Sequence, residues 1–236
     1  MSFKSKCNLW DKKQSVINPK AYSSLNYISN LFDTNTNVNK IKVIIVGTIT
    51  PPNKNTSNHA NGYFYTSERN KMYEFLDNHF KNSDFVSQKN NLIKNPGNQK
   101  IIYGIMAKLT NHQIAFLDVV KDVKSIPTSA ADDKLDDFSL DVESFKKALN
   151  SVHAYFICNS RNAEHALHII LKNIYKNIYG IQSINNAICD IKNKYYVPAQ
   201  IPNTNINIYY VPQVPRRYTY NDLRTAWDDV LTKCGV

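Results

Sequence analysis

The chain has 236 residues and a net charge of +10, long enough for one large domain that buries a substantial core. Hydrophobic residues make up 42% of it, and no run approaches the roughly 18 apolar residues a membrane span needs, which argues against a helical membrane protein. Its four cysteines, Cys7, Cys158, Cys189 and Cys234, form no C-x-x-C pair, a spacing that suits neither zinc nor iron–sulfur ligation.

Residues 1–40 are polar, with scattered apolar positions such as Trp10, Tyr22, Leu25, Ile28 and Leu31, and read as a segment that wraps the core. The N-terminus, MSFKSKCNLWDKKQ, has no apolar h-region, so a cytoplasmic protein is expected. Ile41–Ile49 is a near-continuous β-branched run, the pattern of a strand buried on both faces. Ser67 and Glu68 then open a predicted helix carrying Met72, Tyr73, Phe75, Leu76 and Phe80. Asn82–Gln99 reads as a basic connection, and Ile101, Ile102, Ile105, Met106 and Leu109 mark a second amphipathic helix. Ile114–Val120 is a second apolar strand with one acid inside it. After a polar loop, Asp141 caps a short helix containing Phe145, Ala148 and Leu149. His153–Cys158 is the third strand, followed by a helix with clear 3.6-residue periodicity: Ala163, Leu167, Ile170, Leu171, Ile174 and Ile178. Residues 181–203 read as an irregular insertion, Ile206–Val211 as the fourth strand, and Leu223, Ala226, Trp227, Val230 and Leu231 as the buried face of the last helix.

Strands alternating with helices predict an α/β three-layer sandwich: a central, mostly parallel four-stranded sheet flanked by helices, all in one domain spanning 1–236. Ligands of such sheets sit beyond the carboxyl ends of the strands. The useful positions are therefore Thr48–Pro52, Asp118, Asn159 and Pro212–Tyr218. No G-x-G-x-x-G, P-loop or internal repeat is present, so a nucleotide-cofactor reading is weak. Lysines spread through the loops favour a polyanionic partner, nucleic acid first, although a Lys- and Asn-rich composition also follows from AT-rich coding. His165-x-x-His168 lacks a third ligand and reads as packing or surface, and Cys158 as a small core residue.

Taken in order, the strand ends resemble the uracil-DNA glycosylase superfamily, above all its hypoxanthine-DNA-glycosylase-like branch. "VIIVGTITPP" is similar to the family's first motif, a strand followed by G-[ST]-x-P. "GYFYTSERNKMYEFL" resembles its aromatic segment, with Tyr73 where Trp is usual. "IAFLDVV" looks like the base-recognition strand, with "PTSAADDKL" as its tail, and "FICNSRNAEHAL" is similar to the Asn-bearing motif, with Ser160 in place of Gly. "VPQVPRRYTY" keeps the prolines of the last loop but has neither its His nor its Ser-Pro. Each motif is short; five in the right order carry the resemblance, from about Lys42 to the C-terminus.

The resemblance implies a monofunctional DNA glycosylase that flips out a base and hydrolyses its N-glycosidic bond, with uracil or hypoxanthine as default substrates. It implies DNA as partner, a monomer, and neither metal nor organic cofactor. Two alternatives are a glycosylase for a bulky, phage-type base acting in defence, and an inactive member that only binds nucleic acid. The first motif lacks the acid or amide that would position water. Thr48 and Thr50 stand there instead, able to hold a water or simply to satisfy the turn. Asp118 could accept from a base edge or act as a general base, or else cap the next segment or pair with a lysine. Asn159 matches the branch's functional Asn, or is a loop residue. Gly47, Tyr63, Phe64, Tyr65 and Asn70 would line the base pocket, although at least one aromatic packs in the core and Asn70 could merely anchor the turn. Arg216, Arg217 and Tyr218 would contact DNA, or form a solvated basic turn.

Overall fold

The strand after residue 42 is apolar because it lies in the middle of a sheet and meets helices on both faces; Val43, Ile44, Ile45 and Val46 are all fully buried. The computed structural model describes residues 41–49, 65–66, 70–81, 83–95, 98–123, 138–149, 155–179, 183–213 and 217–236. In chain order the elements are β1 (Val43–Gly47), α1 (Met72–His79), α2 (Phe85–Lys94), α3 (Gln99–Asn111), β2 (Ile114–Asp118), β3 (Val120–Val123), β4 (Phe138–Leu140) and α4 (Val142–Leu149). There follow β5 (Tyr155–Cys158), α5 (Arg161–Tyr179), β6 (Ile188–Asp190), β7 (Tyr195–Val197), β8 (Ala199–Gln200), β9 (Asn207–Tyr210) and α6 (Tyr220–Lys233).

The four strands predicted from the apolar runs are β1, β2, β5 and β9, and they pair in parallel. Among the described residues the sheet has five strands rather than four, in the order β2-β1-β5-β9-β8. The extra strand, β8, is antiparallel to β9 because only a tight turn joins them, and a parallel pair needs a long crossover. At two residues between Pro198 and Pro202 it is too short to show any period in the sequence. Segment 181–203, read as irregular, also holds the antiparallel β6–β7 pair. The polar loop after β2 starts and ends in a further antiparallel pair, β3–β4.

Helices α1, α2, α3 and α6 pack in succession on one another and on β2, while α4 packs on α5, which lies across β1, β5 and β9. The sheet is thus flanked by helices, as right-handed crossovers on either side of β1 require. Trp227 of α6 is the largest fully buried side chain among the described residues; its ring stacks on Phe75 of α1, and its indole N–H donates to the Pro212 carbonyl at 3.1 Å. A capping box of Thr219 and Asp222 starts α6, and the Asp141 carboxylate accepts from Ser144 N–H as expected for α4. No helix among the described residues is long and apolar enough to cross a membrane.

The run 82–99, read as a connection, contains α2. Its buried positions are Phe85, Lys89 and Leu92, so a lysine occupies the middle of its inner face and breaks the apolar signal. Lys89 is satisfied in place: its Nζ donates to the Asn70 carbonyl at 3.0 Å. The cap of α2 is also remote in sequence, because the Asp77 carboxylate of α1 accepts from Phe85 N–H at 2.7 Å and Val86 N–H at 2.8 Å, as well as from the Ser83 hydroxyl. Asp77→Ala is therefore expected to lower stability by about 2 kcal/mol, the upper range for losing a helix cap, as measured by urea unfolding. Asp84→Ala, at the residue just before the helix, should cost less, because the Asp84 side chain makes no capping bond and its ion pair with Lys108 is solvent-exposed.

Candidate functional site

The parallel strand order creates the crevice. From β1 the chain moves to β2 on one side and then crosses to β5 on the other, so the carboxyl ends of β1 and β5 flank a topological switch point, where open α/β sheets bind ligands. Main-chain bonds carry the sheet past the strand ends and fix them: Asn159 N–H donates to Val46 at 3.0 Å, Val119 N–H to Gly47 at 3.0 Å and Val120 N–H to Thr48 at 3.0 Å. The Thr48 and Ser160 hydroxyls lie 3.3 Å apart, joining the turn after β1 to the turn after β5.

Over this crevice three side chains converge. Gly47 is in register with Asp118, and a Cβ on Gly47 would stand 2.3 Å from Asp118 Oδ1 and 2.8 Å from the Tyr65 hydroxyl. Those two oxygens therefore lie within about 5 Å of each other, over a backbone that has no side chain of its own. From the far side the Asn159 amide donates to the Tyr65 hydroxyl at 2.8 Å. Asp118 and Asn159 are 3% and 5% exposed, so the carboxylate and the amide both act in a low-dielectric setting. Tyr65 is positioned by a left-handed backbone (φ 58°) and by an edge-on contact with Phe116. Burial, then the Asp118 charge, then Cys158 hold its phenol well above the ordinary tyrosine value. It is a neutral O–H at physiological pH, accepting from Asn159.

The predicted residues Gly47, Tyr65, Asp118 and Asn159 thus come together, with Thr48 beside them. Asn70 stands at the start of α1. Its side chain accepts from Met72 N–H at 2.9 Å and its carbonyl holds Lys89, so it anchors the turn. Tyr218 packs against the core and Arg217 is exposed, both just ahead of α6. Thr50, Tyr63, Phe64 and Arg216 lie outside the described residues, as do residues 1–40, Ser67 and Glu68.

A second constellation at the same sheet edge was not anticipated. Arg161, the first residue of α5, lays its guanidinium over the Tyr210 ring at 3.9 Å, pairs with Glu164 and donates to the Ala187 carbonyl at 3.0 Å. Glu164 is 1% exposed, and its other oxygen accepts from Ala187 N–H at 2.7 Å. The Ser160 hydroxyl accepts from Ala163 N–H at 3.0 Å and so caps α5, whose positive end faces the crevice. The sequence signal is an Arg and a Glu three residues apart, the Arg two positions after Asn159; their partners are the main chain of Ala187, just before β6, and the Tyr210 ring of β9.

Among the described residues, His165 and His168 included, no three His, Cys, Asp or Glu side chains are grouped so that they could share an ion. His168 is 7% exposed, and its Nε2 has no hydrogen-bond partner among the described residues. Burial, followed by His165, Lys172 and Arg161, pulls its pKa down to about 4. From pH 6.5 down to about 4 the unfolded chain binds a proton at this position that the folded chain does not, so stability present above pH 6.5 is lost as the pH falls. The loss reaches about 3 kcal/mol by the linkage relation, and His168→Leu is expected to flatten that limb of a stability–pH curve. Cys158, Cys189 and Cys234 are free thiols. Family models, curated proteins and solved structures were each compared with the chain, and none matches it.

Proposed function

We propose that the protein is a monofunctional DNA glycosylase, hydrolysing the bond between a flipped base and its sugar and leaving an abasic site. The observation that carries this reading is the meeting of Asp118, Asn159 and Tyr65 over bare Gly47 at the switch point of the sheet. The chemistry asks for groups of this kind. Breaking a C1′–N bond builds positive charge on the sugar and negative charge on the departing base. A buried carboxylate is suited to face the sugar and to accept from the attacking water; a fixed amide, held in place by a neutral phenol, is suited to donate to the base.

In this reading Asp118 takes the role that an acid in the first motif would fill, since Thr48 and Thr50 offer only hydroxyls. Asn159, oriented by Tyr65, supplies a dipole set before the base arrives, which is where preorganised donors gain most. The net charge of +10 agrees with a DNA substrate. None of these roles draws on a metal or organic cofactor.

The test is abasic-site formation by the full chain on DNA duplexes and single strands carrying uracil, hypoxanthine, hydroxymethylcytosine or glucosylated cytosine, read by alkaline strand cleavage. Cleavage of one substrate, abolished in Asp118→Asn, supports the reading. Cleavage of the glucosylated substrate alone would assign the bulky-base activity. Absence of any cleavage at excess protein, with DNA binding intact, would leave a binding module in its place.

A further inference from the structure

We propose that the outer face of the β6–β7 hairpin is a DNA-contacting surface beside the crevice, with Tyr195 and Ile188 meeting bases and Lys192 and Lys194 meeting phosphates. The proposal rests on the reading of the chain as a DNA-acting protein and extends it to a surface outside the catalytic cluster.

The register of the hairpin decides which side chains face out. Cys189 pairs with Tyr196, and Tyr196 is 4% exposed, so that face is turned inward. Ile188 pairs with Val197 and Asp190 with Tyr195, which puts Ile188 and Tyr195 together on the opposite face as diagonal neighbours. They are 50% and 56% exposed, two of only a few large apolar side chains so open to solvent among the described residues. Between the two strands the turn Ile191–Lys194 exposes Lys192 and Lys194. The one acid of the hairpin, Asp190, is occupied by the turn itself, accepting from Asn193 N–H at 3.2 Å and from the Asn193 amide at 2.8 Å.

The hairpin is tied to the crevice. Ala187, the residue before Ile188, is clamped by Glu164 and Arg161, and Arg161 stands two residues after Asn159 and covers Tyr210 at the end of β9. An aromatic and a branched aliphatic side chain, flanked by cations and anchored to the strand ends, form a surface complementary to a polyanion with stacked bases. Aromatic rings take up base faces without regard to sequence, and aliphatic side chains wedge between base steps.

The experiment uses the full chain with a short fluorescein-labelled DNA duplex and the matching single strand, with binding followed by anisotropy over a range of salt. Ile188→Ser with Tyr195→Ser is expected to weaken binding about 10-fold or more. Lys192→Gln with Lys194→Gln is expected to reduce the slope of log affinity against log salt by about 2 for the duplex. All four positions are exposed, so both variants should melt at the temperature of the parent. Unchanged affinity and slope in both variants would overturn the proposal. So would a parent dimer, seen in sedimentation, that the Ile188→Ser, Tyr195→Ser variant splits without loss of DNA affinity. Base release, measured separately, distinguishes the two claims: a hairpin effect on binding without base release keeps this surface and removes the glycosylase, and the reverse result removes only the surface.

Discussion

Gly47→Ala is expected to lower stability by about 1–3 kcal/mol and to cut base release by about 100-fold or more, the second effect being larger than unfolding alone explains. The added methyl would stand 2.3 Å from Asp118 Oδ1 and 2.8 Å from the Tyr65 hydroxyl, both closer than atoms tolerate. The backbone of β1 is locked between β2 and β5 and cannot retreat, so the side chains must. Asp118 is short and buried, and its carboxylate would leave its place over the crevice. Tyr65 would lose its alignment with Asn159. Thermal melts and single-turnover release, measured at a temperature where the variant is fully folded, separate the two effects. Parent-like release from a folded Gly47→Ala protein would mean that the reacting groups are elsewhere.

Asp118→Asn is expected to disturb the fold less than Gly47→Ala, because the change is isosteric and creates no clash. Release should fall by about 10²–10⁴-fold, the range for losing a positioned acid–base group. The loss should appear in the single-turnover rate, with DNA affinity retained. A stable Asp118→Asn variant with full release would exclude the carboxylate from the reaction and leave the neutral pair, Asn159 and Tyr65, to account for it.

The elements most legible in the sequence are those whose burial is continuous or periodic. β1 is apolar throughout and β2 is apolar up to Asp118, every residue of both being covered, and α5 repeats its buried face at helical spacing. α2 was hidden by tertiary structure twice over, by Lys89 on its inner face and by Asp77 as a distant cap. β8 was hidden by its length. Within the site, Gly47, Asp118 and Asn159 could be picked out as strand ends. That the Tyr65 hydroxyl meets Asn159 across 94 positions of chain could not, since nothing local records it. The Arg161–Glu164–Ala187 clamp was invisible for a related reason: one partner is main chain, which carries no signature in the residue type.

The separation of these partners also governs when the site comes into being. Thr48 meets Ser160 across 112 residues, and three of the four β-pairings of the main sheet are parallel, each closed by a long crossover. Contacts this remote are the slowest to form, because loop-closure entropy must be overcome before they contribute. No shorter piece of the chain spanning only β1 and β2 contains Asn159, and none spanning only β5 and β9 contains Asp118. During refolding the cluster over Gly47 therefore arises with the docking of β5 on β1, after its helices and near the end, and competence should return in step with the slowest phase of recovery.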